Sequence, residues 1–100
     1  MRKEPIMSVH AIFTITINAP ESIAKYREVS ADALAKHGGS VVQASPNLTI
    51  LDGTDPKPSM AAILSFPDAD AAQAWHSDPA LAHVHELRRN AGPSTLILLA

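Results

Sequence analysis

Hydrophobic residues recur with two different periods along this 100-residue chain, and the order of those periods strongly limits its fold. Four segments rich in β-branched and apolar residues are predicted strands, at Val9–Ile17, Val41–Ala44, Met60–Phe66 and Thr95–Leu99. Apolar residues spaced three or four apart predict a helix after Pro20 and a second between Pro67 and Gly92. Residues Leu48–Leu51 are predicted to extend the second strand.

The helix boundaries carry residue types that suit those positions. Pro20 fits a first helical turn, where its missing N–H has no partner in any case. The pair Gly38-Gly39 suits a helix end, because glycine adopts the left-handed conformation without a Cβ clash. Asp68 is placed to cap the second helix, and Asp78 to cap its restart after the break at Pro79.

The order strand-helix-strand-strand-helix-strand predicts an α+β fold of ferredoxin-like β-α-β-β-α-β type. Right-handed crossovers place both helices on one face of a four-stranded antiparallel sheet. The third and last strands are apolar on both sides, so the uncovered face is predicted to pack against the same face of a second copy. We expect residues 8–100 to form a single domain and residues 1–7 to be a flexible tail.

Composition argues against several classes of function. The net charge of −2 gives no positive field for a nucleic-acid backbone, and the absence of cysteine removes disulfides and thiolate sites. RNA-binding domains with this strand order carry stacking aromatics on the third strand, where this chain has only Phe66. Its apolar runs are far shorter than the roughly 20 residues of a membrane span. We therefore predict a cytoplasmic protein that binds neither nucleic acid nor membrane.

A series of short motifs covers nearly the whole chain. They are Pro20-Glu21, Tyr26-Arg27, Ala35-Lys36-His37-Gly38-Gly39, Phe66-Pro67, Ala71-Ala72-Gln73-Ala74-Trp75 with Ser77 and Pro79, and Leu87-Arg88. In this order they resemble the bacterial "domain of unknown function 1330" family of the dimeric α/β-barrel superfamily. The resemblance implies a dimer of two facing sheets, with a pocket between each sheet and its helices. Ala19 and His76 depart from the family pattern, which has an aspartate cap and an aromatic residue there.

Four residues are candidates for the pocket, and each also has a structural interpretation. His37 could be a general base, or could cap the last carbonyls of its helix. Tyr26 could donate a hydroxyl to a substrate, or could pack in the core. Trp75 could line the pocket, or could anchor the second helix on the sheet. Arg88 could bind an anion, or its positive charge could interact with the negative end of the helix dipole.

The histidines near the second helix do not predict a metal site. His83 and His85 are two residues apart, which places them about 200° apart around a helix. A helical zinc pair uses a spacing of four residues. His76 is the third histidine of this group, and we predict neither a metal nor another cofactor.

Two functions remain open from the sequence. The first is a homodimeric domain that binds a small, partly apolar molecule and transforms it without a cofactor, as oxygenases and isomerases of related fold do. His37 would then be the base, Tyr26 the hydroxyl donor and Arg88 the anion stabiliser. The second is a non-catalytic binding or assembly module.

Overall fold

The computed structural model describes residues 8–100, so the predicted tail at residues 1–7 lies outside the described residues. The strands are β1 (Val9–Ile15), β2 (Ser40–Ser45), β3 (Met60–Phe66) and β4 (Ser94–Leu99). The helices are α1 (Pro20–Lys36), α2 (Ala69–Ser77) and α3 (Ala82–Ala91), with a short 3-10 turn at Pro79–Leu81 between the last two.

The four strands form one antiparallel sheet in the order β2-β3-β1-β4. This arrangement confirms the predicted ferredoxin-like fold, with the second helical segment divided into α2 and α3. Ile12 lies at the centre of the sheet, opposite Ile63 on one side and Ile97 on the other. The central strands β1 and β3 therefore fix the register of both edge strands.

The core lies between one face of the sheet and the helices. Alternate residues of β1 and β3 are buried there, namely Ala11, Phe13, Ile15, Ala62, Leu64 and Phe66. Ile23, Leu34 and Val84 of the helices pack against them. This alternation is why the period of two around Phe13 predicted β1 correctly.

The predicted helix boundaries are confirmed. Pro20 occupies the first turn of α1, and the carboxylate of Asp68 accepts a hydrogen bond from the Ala71 N–H, 2.7 Å away. The carboxylate of Asp78 accepts from the Ala80 N–H at 2.9 Å. Gly38 follows α1 with a φ of 75°, the left-handed conformation that favours glycine.

The predicted extension of β2 over Leu48–Leu51 is wrong. The strand ends at Ser45, whose hydroxyl accepts a hydrogen bond from the Asn47 N–H at 2.9 Å. This local turn takes a backbone donor that a continuing strand would use, and Pro46 has no N–H to offer. Leu51 is left 94% exposed.

The second face of the sheet has no covering layer in the described residues. It carries a row of apolar side chains that are 37–52% exposed, Ile12, Ile63, Ile97 and Leu99. Because the isoleucines are direct cross-strand neighbours, their exposed parts form one continuous apolar surface, which we call the isoleucine row.

The link between α3 and β4 is hydrogen-bonded to the link between β1 and α1. The Asn18 and Ala19 N–H groups donate to the Ala91 carbonyl at 2.7 and 3.0 Å, and the Thr16 N–H donates to the Pro93 carbonyl at 2.9 Å. Gly92 lies inside this junction with a φ of 150°, and a Cβ there would overlap the Thr16 carbonyl oxygen. The junction brings β4 and the end of α3 against the start of α1.

We predict that Gly92→Ala destabilises the protein by clearly more than Gly53→Ala. Both glycines have positive φ, so each alanine incurs backbone strain of about 1–3 kcal/mol. At Gly53 a Cβ meets open space apart from an Ile50 methyl 4.0 Å away, whereas at Gly92 it also clashes with the backbone. Urea unfolding of the two variants measures the difference, and equal free energies of unfolding would contradict this account of the junction.

Candidate functional site

Three of the four predicted site residues meet in the helical layer. The Arg88 guanidinium of α3 lies over the ring of Tyr26 on α1, 5.9 Å from its centroid, and over the ring of Trp75 on α2, at 5.8 Å. These distances are within the range of cation–π attraction. Arg88 is only 4% exposed, so the cation is buried among the helices rather than placed at a solvated helix end.

A buried histidine fixes the guanidinium of Arg88. Nη1 of Arg88 donates to Nδ1 of His85, 2.8 Å away. Since Nδ1 acts as the acceptor, the proton of a neutral ring lies on Nε2, which donates to the Trp75 carbonyl at 3.1 Å. Burial lowers the pKa of His85, and the nearby positive charge of Arg88 adds to that effect. His85 is therefore a neutral ring with a defined tautomer.

No carboxylate neutralises Arg88 within residues 8–100, where no ion pair includes it. A buried cation normally requires a partner, because removal from water costs several kcal/mol per ion. Here one N–H is satisfied by His85, while an arginine has five donors. No other hydrogen bond of the Arg88 side chain occurs within residues 8–100.

Trp75 combines the two roles that the sequence left open. Its ring is 2% exposed and packs against Phe66, with centroids 5.3 Å apart, and edge-on against His85 at 4.8 Å. It is thus an anchor of α2 on the sheet. Its Nε1 is also the only buried side-chain polar atom among the described residues that lacks a hydrogen-bond partner.

A cavity of about 160 Å³, which we call the Trp75 cavity, lies between α2 and the sheet. Its lining is mainly apolar, with two polar side chains at the rim: Ala11, Phe66, Ala72, Trp75, Leu96, Leu98, Gln73 and His76. A more open depression of about 440 Å³, the basic depression, is lined by Arg88, Arg89 and Ser94. His76 and Leu96 line both, so the two spaces adjoin.

Tyr26 lines a different cavity. A space of about 180 Å³ lies between α1 and strands β2 and β3, with Phe13, Leu34 and Met60 among its walls. Tyr26 and Trp75 therefore both contact Arg88, but they line two separate cavities. The predicted pocket residues do not converge on a single space.

His37 is not among the residues that line either cavity. Its Nε2 donates to the carboxylate of Asp78 at 2.9 Å, and Nζ of Lys36 lies 2.8 Å from the same oxygen. Hydrogen bonds from Lys36, then from His37 and the Ala80 N–H, hold the pKa of Asp78 well below its usual range. The His37 ring links the end of α1 to the start of the 3-10 turn. This contact was not predicted, because Asp78 is distant in sequence.

Within residues 8–100, no group of three or more potential metal ligands is brought together, the histidines of α2 and α3 included. His76 and His85 are nevertheless neighbours, with ring centroids 5.4 Å apart. Partial burial lowers the pKa of His76, as do the positive charges of Arg88 and Arg89. An exposed, neutral imidazole thus lies where the Trp75 cavity and the basic depression meet.

Sequence reasoning missed the role of His85. The buried positions of the last helical segment are Leu81, Val84, His85, Arg88 and Ala91. They follow the spacing of three and four residues that marks an inward face. His85 and Arg88 are polar residues on that face, and this combination is a signal of a buried hydrogen-bonded pair.

The fold and the buried Arg88 cluster define the chain as a ferredoxin-like α+β protein with cavities between its helices and its sheet. The chain belongs to the family described as "Domain of unknown function (DUF1330)", whose model matches residues 8–100. None of the curated proteins is significantly similar to it in sequence. Within the part of the chain that the structure describes, no helix is long and apolar enough to cross a membrane.

Three solved structures illustrate the shared fold. A protein of unknown function from Rhodopseudomonas palustris is 22% identical, with a TM-score of 0.74 over 95% of this chain and 82% of that one. SnoaB, a cofactor-independent oxygenase from Streptomyces nogalater, is 21% identical, with a TM-score of 0.66 over 93% and 91%. A dimeric ferredoxin-like protein of unknown function from Jannaschia sp. CCS1 is 14% identical, with a TM-score of 0.65 over 93% and 98%.

We predict that stability decreases as the pH falls below 6.5, the ordinary value for the histidine pKa. A lowered pKa means that the folded state binds fewer protons than the unfolded state, so protonation favours unfolding. The loss of stability begins near pH 6.5, the ordinary histidine pKa, and continues until the pH reaches the lowered pKa of His85 in the folded state. Urea unfolding between pH 8 and pH 5 should show a smaller pH dependence in His85→Gln than in the wild type. The variant His83→Gln, at an exposed position on the same helix, should keep the wild-type dependence.

Proposed function

We propose that this protein is a homodimer that binds a small, partly apolar molecule in the Trp75 cavity. The observation that carries the proposal is the unpaired indole N–H of Trp75 in a residue that lines this space. A buried donor without an acceptor costs about 1–3 kcal/mol, so a ligand acceptor that reached this N–H would recover that free energy. The other cavity, beside Tyr26, contains no such orphaned donor among the described residues.

The size and lining of the Trp75 cavity define the molecule coarsely. A space of about 160 Å³ is close to that of an engineered cavity that binds benzene. Phe66, Leu96 and Leu98 offer apolar contacts, while Gln73 and His76 offer polar contacts at the rim. These features favour one six-membered ring, or a chain of similar volume, with a polar substituent.

We further propose that chemistry at this site proceeds without a cofactor, with His76 in place of His37 as the proton acceptor. His76 is neutral near pH 7, because its pKa is lowered, and it lies beside the cavity. The fold shared with SnoaB, which is described as a cofactor-independent oxygenase, supports the proposal of chemistry without a cofactor. His37 is held by Asp78 instead.

A non-catalytic binding module is the second candidate. Tyr26 and Trp75 both pack against Arg88, which is the arrangement expected of a structural cluster. Ligand binding in the Trp75 cavity is common to both candidates, so it is the property to test first.

Ligand binding can be followed through Trp75, because it is the only tryptophan of the chain. We expect cyclohexylmethanol and cyclohexanecarboxylate each to change its fluorescence saturably. Ala72→Leu should abolish the change, since Ala72 is 6% exposed and lines the cavity. Ala74→Leu, at an exposed position of the same helix, is the matched control and should bind normally. Absence of a saturable change with both probes would refute the proposed site.

The isoleucine row is the proposed dimer interface. It offers a continuous apolar surface on a sheet face that no helix covers in residues 8–100. Specific interfaces bury about 800 Å² per partner, an area that a sheet face can supply. The Jannaschia protein of the same fold is described as dimeric, which supports this assembly.

We predict that Ile97→Glu produces a monomer, because a carboxylate would be buried in the interface without a partner. Ile97 is 51% exposed in the single chain, so the change should leave the monomer folded. Ala24→Glu places the same charge on an exposed position of α1 and should remain dimeric. Light scattering at micromolar concentration measures both masses. A monomeric wild type would eliminate the interface.

A further inference from the structure

We infer that the ligand of the Trp75 cavity is an apolar carboxylate, whose charged group binds in the basic depression beside Arg88. This inference rests on the proposed binding function and adds the chemical class of the ligand. The apolar body would occupy the Trp75 cavity, and the carboxylate would extend past His76 and Leu96, which line both spaces.

The charges around the basic depression favour an anion. Arg88 and Arg89 line it, together with the hydroxyl of Ser94, and no acidic residue lines it among residues 8–100. The chain as a whole carries a net charge of −2, so the positive charge is concentrated at this depression and is not a general property of the protein surface. A small anion would find both a positive potential and hydrogen-bond donors there.

Arg88 is also held in a fixed orientation before any ligand binds. The rings of Tyr26 and Trp75 lie against its guanidinium, and Nη1 is bound to His85. Because the Arg88 side chain is already ordered in the folded protein, binding a ligand costs little additional side-chain entropy, and this increases the affinity. The planar guanidinium has donors left to pair with the two oxygens of a carboxylate.

The missing counter-charge is the strongest argument for a carboxylate. In most proteins a guanidinium this well buried is paired with Asp or Glu, since an isolated charge is costly to bury. In the described chain the neighbouring polar side chain is a histidine that is neutral and cannot supply a negative charge. An anionic ligand would provide the charge that the protein itself does not.

The test compares two probes that share one ring and differ in charge. Cyclohexanecarboxylate and cyclohexylmethanol are titrated at pH 7.5 against Trp75 fluorescence. We expect the carboxylate to bind at least about tenfold more tightly, as a charge-assisted hydrogen bond requires. The preference should decrease as salt rises.

Variants of three arginines show which positive charge is responsible for the preference for the carboxylate. In Arg88→Met the ratio of the two affinities, about tenfold in the wild type, should fall to within about twofold. Arg89→Met, at an exposed position, should reduce the preference partially. Arg27→Met removes an exposed positive charge that lies beside the other cavity, and it should leave the preference unchanged.

The outcomes separate this inference from the function on which it rests. Equal binding of the two probes overturns the carboxylate inference and leaves the cavity function intact. Failure of both probes to bind refutes the cavity function itself. If Arg88→Met does not fold, the wild-type preference, its salt dependence and the contrast between Arg89→Met and Arg27→Met decide the question. No difference between those two variants would overturn the inference.

Discussion

The burial of one guanidinium determines how the three helices of this protein are arranged. Arg88 on α3 contacts Tyr26 on α1 and Trp75 on α2, and its neighbour His85 binds the Trp75 carbonyl. A charge removed from water is tolerated only where fixed dipoles and aromatic faces surround it. Each helix supplies part of that environment, so a shift of any one helix would remove a favourable contact from the cation. The two rings line different cavities, Tyr26 the one beneath α1 and Trp75 the one beneath α2.

Most of the fold follows from local patterns in the sequence. The alternation around Phe13 and the continuous run ending at Phe66 marked central strands, and Asp68 and Asp78 marked helix starts, because each depends on neighbouring residues only. The extension over Leu48–Leu51 was wrong because its apolar residues suit a strand, whereas pairing depends on a partner strand and on the local turn at Ser45. Strand propensity alone does not supply a partner.

The candidate site was less accessible to sequence reasoning. The sequence singled out Tyr26, Trp75 and Arg88 one by one, but the contacts of Arg88 with the two rings join three helices that are far apart in sequence. His37 was predicted as a candidate for the pocket, yet the ring of a residue at a helix end can turn toward another element, here Asp78. Which side chains share a cavity depends on the packing of helices on the sheet, and periodicity describes each helix only by itself.

The junction around Gly92 has a consequence for how the length of this chain can vary among relatives. The Thr16, Asn18 and Ala19 N–H groups donate to the carbonyls of Ala91 and Pro93, so one inserted residue in either segment would displace a strand end. The region 46–57, by contrast, is almost entirely exposed and includes Pro46 and Pro56. Because lengthening an exposed loop costs little entropy, insertions and deletions should accumulate there. Sequence length can therefore change beside β2 while the neighbourhood of Arg88 keeps its spacing.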